Sequence, residues 1–174
     1  MVKYTDKQIK IIIDNMVILQ DTREKTTFIT DTYDNFGVKW ESVKLNSGDF
    51  SAYIPPIEKL GFEGLDFRDE LVIERKMSND EISRNLSANK ERFHREFQRS
   101  KGKIIILIED SYKNIMMNNY KSKLMPKQFL GLLHTLSFKY DAPFVFIDKE
   151  STPLYIYNTF KYYTRYKLKS LKTD

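Results

Sequence analysis

Leu71 to Asp80 reads LVIERKMSND, and the rest of the chain is best read outward from it. Leu71, Val72 and Ile73 form a strongly β-prone run, and Glu74, Arg75 and Lys76 follow with no turn signal between. Side chains alternate along a strand, so Glu74 and Lys76 project to one face and Arg75 to the other. One face therefore carries a hard oxygen ligand beside an ammonium. A carboxylate of this kind can hold a divalent cation, and the lysine can orient or deprotonate a water held there. That is half of a hydrolytic site at the end of a strand.

The 174 residues are enough for one compact domain with a real core and too few for two ordinary ones, so a single domain over 1–174 is expected. With no cysteine and two histidines, disulfides and cysteine-bearing zinc sites are excluded and a catalytic zinc is disfavoured. Any metal is expected to sit among oxygens. The N-terminus lacks a signal-peptide pattern, and no run approaches the ~18 consecutive apolar residues of a membrane span. The expectation is a soluble, cytoplasmic protein with no membrane contact.

The formal charge of +5 is unevenly spread. Arg84, Lys90, Arg92, Arg95, Arg99, Lys101 and Lys103 face only Glu91 and Glu96 in the same stretch, a local excess equal to the whole net charge. This run follows the candidate strand directly, which favours phosphate contact over a merely solvated helix face. A second basic run, Lys161, Arg165, Lys167, Lys169 and Lys172 against Asp174, is equally well read as a solvated face.

Strands and helices alternate along the chain. Met16 to Gln20 is a buried strand ending at Asp21-Thr22-Arg23-Glu24, and Lys25 to Phe36 has helical spacing with Gly37 as its C-terminal cap. Strands are expected over Val38 to Leu45 and Asp49 to Ile54, joined by the turn Asn46-Ser47-Gly48. Pro55 to Asp69 reads as a long loop or extended hairpin tip, with Phe62, Phe67 and Arg68 either on an uncommitted surface or forming a wedge. If the Asp49 and Glu74 strands pair antiparallel, opposed Cβ atoms lie about 5 Å apart, close enough for both carboxylates to share a cation. Ser78 to Ser87 is helical with Ser78 and Glu81 as a capping box, and Lys90 to Arg99 forms a further helix or a continuation. Lys103 to Ile108 is the clearest buried strand; a helix over Pro126 to Tyr140, a strand over Phe144 to Ile147 and a helix over Thr152 to Leu171 complete the chain.

Each candidate has a plainer reading. Asp49 can be a turn residue, Glu74 and Lys76 an exposed pair, Asp80 a first-turn acid favourable to the helix dipole, and Asp21 a helix cap with Glu24 behind it. Arg92 and Arg95 can be solvated charges; Phe93 and Phe97, four apart, are better read as core than as base-stacking groups. His94 is either a DNA contact or a solvated histidine, and His134 is read as structural. The tyrosines at 155, 157, 162, 163 and 166 are read as packing or interface residues.

Taken in order, DTRE at Asp21–Glu24, GDF at Gly48–Phe50 and ERKxxxD at Glu74–Asp80 resemble the nuclease domain of the XPF-type (ERCC4-domain) structure-specific endonucleases. That family is a branch of the restriction-endonuclease-like PD-(D/E)XK superfamily. Asn85 to Asp110 is similar to its basic helix and following strand in small bacterial and phage members, and the resemblance covers about 17–174. It implies a three-layer α/β/α fold around a central mixed sheet. It also implies a metal-dependent DNA endonuclease acting on branched or flapped DNA in recombination, replication or repair, in a bacterial or phage-infected cell. Mg2+ or Mn2+ is the implied cofactor, with no small-molecule cofactor besides.

Carried over by residue, Asp49 and Glu74 would be the central metal ligands. Asp21 and Glu24 would complete the acidic cluster, directly or through water. Lys76 would position or activate the water, Arg23 and Arg75 would balance the acids or hold phosphate, and Asp80 would lie near Lys76 or the metal. Arg84, Lys90, Arg92, Arg95 and Arg99 would join Arg23 in contacting DNA. A homodimer through the aromatic C-terminal helix is a further implication. The chain departs from larger members in having no recognisable helix-hairpin-helix module, which bears on substrate geometry and targeting. Two rival readings are a DNA-binding module with a vestigial nuclease fold and a protein-interaction scaffold; intact Asp49, Glu74 and Lys76 weigh against the first.

Overall fold

The computed structural model describes residues 4–170, so Leu171, Lys172 and Asp174 of the expected final helix and basic run lie outside the described residues. The chain opens with α1 (Asp6–Asp14), where Thr5 Oγ1 accepts from the Gln8 N–H and Gln8 Oε1 accepts from the Thr5 N–H, a reciprocal cap. It continues through β1 (Val17–Asp21), α2 (Phe28–Phe36), β2 (Lys39–Val43), β3 (Phe50–Ile54), β4 (Leu65–Asp66) and β5 (Leu71–Lys76). Then come α3 (Asn79–Leu86), α4 (Lys90–Arg99), β6 (Lys103–Ile108), α5 (Tyr112–Met116), α6 (Pro126–Tyr140), β7 (Phe144–Phe146) and α7 (Thr152–Ser170). Gly37 ends α2 in the left-handed region at φ 67°, as its position after the helical pattern predicts.

The strands form one mixed sheet in the order β2-β1-β3-β5-β6-β7, with β4 attached to β3. β1 runs parallel to β2 and antiparallel to β3; β3 is antiparallel to β5, while β5, β6 and β7 are mutually parallel in that order. Alternation along the strands feeds two cores. Ile18, Phe50, Ile73 and Leu107 pack with Ile9 and Ile12 of α1, Ile29 of α2 and Phe160 of α7. On the other face Val72, Ile104, Ile106 and Ile108 pack with Ile82, Phe93 and Phe97 of α3 and α4 and with Phe129 and Leu133 of α6. Each such fully buried side chain contributes about 1.5–3 kcal/mol by leaving water, which is what clamps helices on both faces of the sheet. The result is the expected three-layer α/β/α arrangement, and among the described residues no helix is long and apolar enough to cross a membrane.

The segment from Pro55 to Asp69 is more ordered than a free loop. A single helical turn, Glu58–Leu60, and an Ile57–Phe62 bridge fold it back on itself, and Leu65–Asp66 pairs with β3. Phe62 packs edge-on against Tyr4, and Phe67 lies fully buried against Phe160 and Tyr163. These rings are core, so neither is available as a wedge. Arg68 is ion-paired to Asp66. At the start of α3 only half of the expected capping box forms: Ser78 Oγ accepts from the Glu81 N–H, while the Glu81 carboxylate accepts from Met77 N–H instead of Ser78.

Candidate active site

The site forms where β3 begins against the end of β5. Gly48 sits at φ +70°, and a Cβ there would fall 2.8 Å from Val72 Cβ and 3.1 Å from the Ile73 carbonyl oxygen. Only glycine lets the chain approach β5 this closely. Asp49 N–H then donates to Ile73 O at 2.8 Å, and Arg75 N–H donates to Asp49 Oδ2 at 2.7 Å. Asp49, one residue ahead of the Phe50–Ile73 pair, is thereby held beside the end of β5, near enough for the charge of Glu74 to act on it.

Glu74 and Lys76 do share a face, as strand alternation requires, and it is the face covered by α3 and α4. Lys76 Nζ donates to Glu74 Oε1 at 2.6 Å, lies 3.8 Å from Glu81 and stands 5.1 Å from the centre of the Phe93 ring. Burial opposes its charge, but Glu74, Asp49 and Glu81 outweigh burial and hold the lysine pKa above its ordinary value. Lys76 is thus held as an ammonium among these carboxylates. The Asp49 pKa is raised too: burial first, then the charge of Glu74, push it well above its ordinary value, against the pull of Lys76 and the Arg75 N–H. A cation beside Asp49 and Glu74 would offset both the burial of the Asp49 carboxylate and the repulsion from Glu74. Among the described residues, Asp49 Oδ1 and Glu74 Oε2 have no hydrogen-bond donor.

The four expected acids do not form one cluster. Among the described residues no three histidine, cysteine or carboxylate side chains are gathered to hold a metal ion. Asp21 is fully buried and saturated: it accepts from Arg23 Nε at 2.6 Å, from Arg23 N–H at 2.8 Å and from Leu45 N–H at 2.6 Å. Burial alone would raise its pKa, but these donors lower it below the ordinary value. Asp21 thus braces the turn after β1 and is closed to direct metal contact. Glu24 accepts from Thr26 N–H and, at 3.3 Å, from Arg75 Nη1. It meets the site through Arg75.

Arg75, on the opposite face of β5, is buried and makes a bidentate pair with Glu109, both bonds 2.8 Å. Burial would lower its pKa; Glu109 and then Glu24 outweigh this and raise it. The guanidinium ties the ends of β5 and β6 to the β1–α2 turn, so it positions the floor of the site while its backbone N–H holds Asp49.

Asp49, Glu74, Lys76 and Glu24 line a cleft of about 580 Å³, whose walls carry Arg23, Lys25, Arg92 and Lys149. Arg92 thus faces the site from α4, whereas Lys90 lies with His94 and Lys139 in a separate hollow against α6. Arg95 is exposed, and Arg99 is ion-paired to Glu96. His94 bonds the Tyr140 hydroxyl at 2.6 Å, and burial with Lys139 and Lys90 lowers its pKa; His134 bonds Tyr112 and is boxed by Tyr112 and Phe144. Asp80 is not in the cleft: it lines a different groove with Arg84 and accepts from the backbone N–H of Lys121 at 2.6 Å. Glu81, Glu109 and Lys149 reach the site unforeseen. Glu81 was legible only as a cap, Glu109 only as a strand-end acid, and Lys149 carried no signal.

The family model of the ERCC4 domain matches residues 20–159. The chain belongs to this family. Two solved structures similar to this ERCC4 domain are those of XPF from Aeropyrum pernix, alone and in complex with DNA. The first is 17% identical with a TM-score of 0.60, covering 83% of this chain and 65% of that one. The second is 17% identical with a TM-score of 0.59, covering 91% and 68%. At this identity the likeness establishes the fold, and the chain spans about two thirds of the length of that relative. No curated protein sequence matches it.

Proposed function

We propose that this ERCC4 domain is a divalent-metal-dependent DNA endonuclease that cuts branched or flapped DNA, in recombination, replication or repair. The carrying observation is the neighbouring carboxylates Asp49 and Glu74, with the Lys76 ammonium 2.6 Å from Glu74, in a cleft walled by Arg23, Arg92 and Lys149. Asp49 and Glu74 would hold Mg2+ or Mn2+. Bound there, the ion would supply Lewis-acid activation of water and of the phosphate. Lys76, kept protonated by its carboxylate neighbours, donates to a non-bridging phosphate oxygen as negative charge builds in the transition state. Arg75 N–H and the Arg75–Glu109 pair hold Asp49 and the strand end in place, and Arg92 and Lys149 neutralise flanking phosphates.

In hydrolysis one P–O bond breaks as the water oxygen bonds phosphorus; the proton of the water leaves and the displaced oxygen gains one. Labelled flap, fork, four-way-junction and linear DNA incubated with Mg2+ or Mn2+ test the reading. Preferential cutting of one or more branched forms, abolished by chelator, is expected; no cutting of any form with either ion overturns it.

A further inference from the structure

A second groove, of about 740 Å³, lies on the other side of α3, between that helix and the loop over 118–124. Helical spacing makes α3 a shared wall: Glu81 and Asn85 line the catalytic side, while Asp80, Arg84 and Ser87 line this one. From the loop come Lys121, Ser122 and Lys123. Arg84, Lys121 and Lys123 have no acidic partner within ion-pair reach among the described residues, unlike Arg23, Arg75 and Arg99. Among the described residues the only acid in the lining is Asp80, and its Oδ1 is engaged by the Lys121 N–H at 2.6 Å. That bond ties the loop to α3 and brings its lysines into the groove that Arg84 lines.

Three cations without an ion-pair partner line this groove beside the single carboxylate of Asp80, a net positive charge of two (three minus one) that a phosphate can offset. A partner that also occupies the catalytic cleft must reach across a helix about 10–12 Å wide, side chains included. Duplex DNA, with a charge every ~1.7 Å of axis, offers phosphates on both sides at once. Resting on the DNA-cleaving role proposed above, we infer that this groove grips phosphates of the same DNA beyond α3, and that Asp80 is its positioning residue. Asp80 then contributes through Lys121 and Lys123, by fixing where their charges stand.

Fluorescence anisotropy of labelled flap DNA, titrated at several salt concentrations, tests this with Arg84→Ala/Lys121→Ala/Lys123→Ala, Asp80→Ala and Asp80→Asn. Losing three phosphate contacts should flatten the slope of log K against log salt by up to ~2.7 and weaken binding at least ~10-fold near physiological salt. Asp80→Ala should shift both quantities in the same direction by less, and Asp80→Asn, which keeps the accepting oxygen and sheds a charge that repels phosphate, should bind at least as tightly as the unmodified protein. Circular dichroism confirms that the surface triple variant is folded. If the unmodified protein binds DNA and the folded triple variant matches it in affinity and slope, the groove inference fails while the nuclease reading stands. Failure of the unmodified protein to bind DNA overturns both. An Asp80→Asn protein that binds normally yet has lost cleavage overturns the positioning role and makes Asp80 part of the chemistry.

Discussion

Asp49 beside Glu74, the pair proposed to seat the metal, is costly to the fold when no cation is bound. Without a divalent cation, burial and Glu74 hold the Asp49 proton on in the folded chain at pH values where the unfolded chain has released it. The folded state then binds the extra proton, so stability falls as pH rises from the ordinary carboxylate range towards the native ionisation, and stays reduced above it. Asp49→Asn removes this loss and can still accept from Arg75 N–H. In metal-free buffer at neutral pH it should melt a few degrees higher than the unmodified protein, the scale of about 1 kcal/mol in a chain of this size. Thermal melts across pH check this: the gap should close as pH is lowered, and added Mg2+ should raise the melting temperature of the unmodified protein alone. The pairing of Glu74 with Lys76 was legible from strand alternation. The depth of Asp21 was not, because its saturation by Arg23 and Leu45 depends on where a distant turn returns.

Two elements hold the site in register, and both yield predictions. Gly48→Ala places a methyl against Val72 in a left-handed backbone, so β3 must shift from β5 and carry Asp49 away from Glu74. A loss of about 1–3 kcal/mol by urea denaturation is expected, with cleavage falling further than stability accounts for. Glu109→Ala leaves the Arg75 guanidinium buried with only Glu24 as a partner and should cost about 3–5 kcal/mol. Pairing it with Arg75→Met should recover most of that loss in the same denaturation measurement. Most elements around the site were readable: Lys90–Arg99, Lys103–Ile108 and Pro126–Tyr140 fall where periodicity put them. α1 escaped, although Thr5 and Gln8 spell a capping box ahead of Ile9, Ile12 and Ile13. α5 has only five residues and little periodicity to show. Phe62 and Phe67 looked like loop residues because their partners, Tyr4, Phe160 and Tyr163, are far away in sequence.

At the scale of the molecule, the sheet delivers Asp49, just ahead of β3, and Glu74 of β5 to one end, and α4 brings Arg92 to the same side. The acidic motifs carried the fold because their order along the chain is itself topological information, and the mixed sheet follows that order. Which bases share a surface was less legible, since a basic run does not say which residues face one another. On α4, Arg92 faces the cleft and Lys90 turns to α6, so Arg92→Ala should weaken DNA binding and reduce its salt slope by about 1 while Lys90→Ala leaves both nearly unchanged. The most direct measurement is single-turnover cleavage of the preferred branched DNA by the unmodified protein, Glu74→Gln and Lys76→Met, at saturating protein with Mg2+. The account predicts that both variants still bind this DNA but cut it at least ~100-fold more slowly, the scale of losing a preorganised charge at the reacting phosphate. Cutting by either variant at the unmodified rate would contradict it.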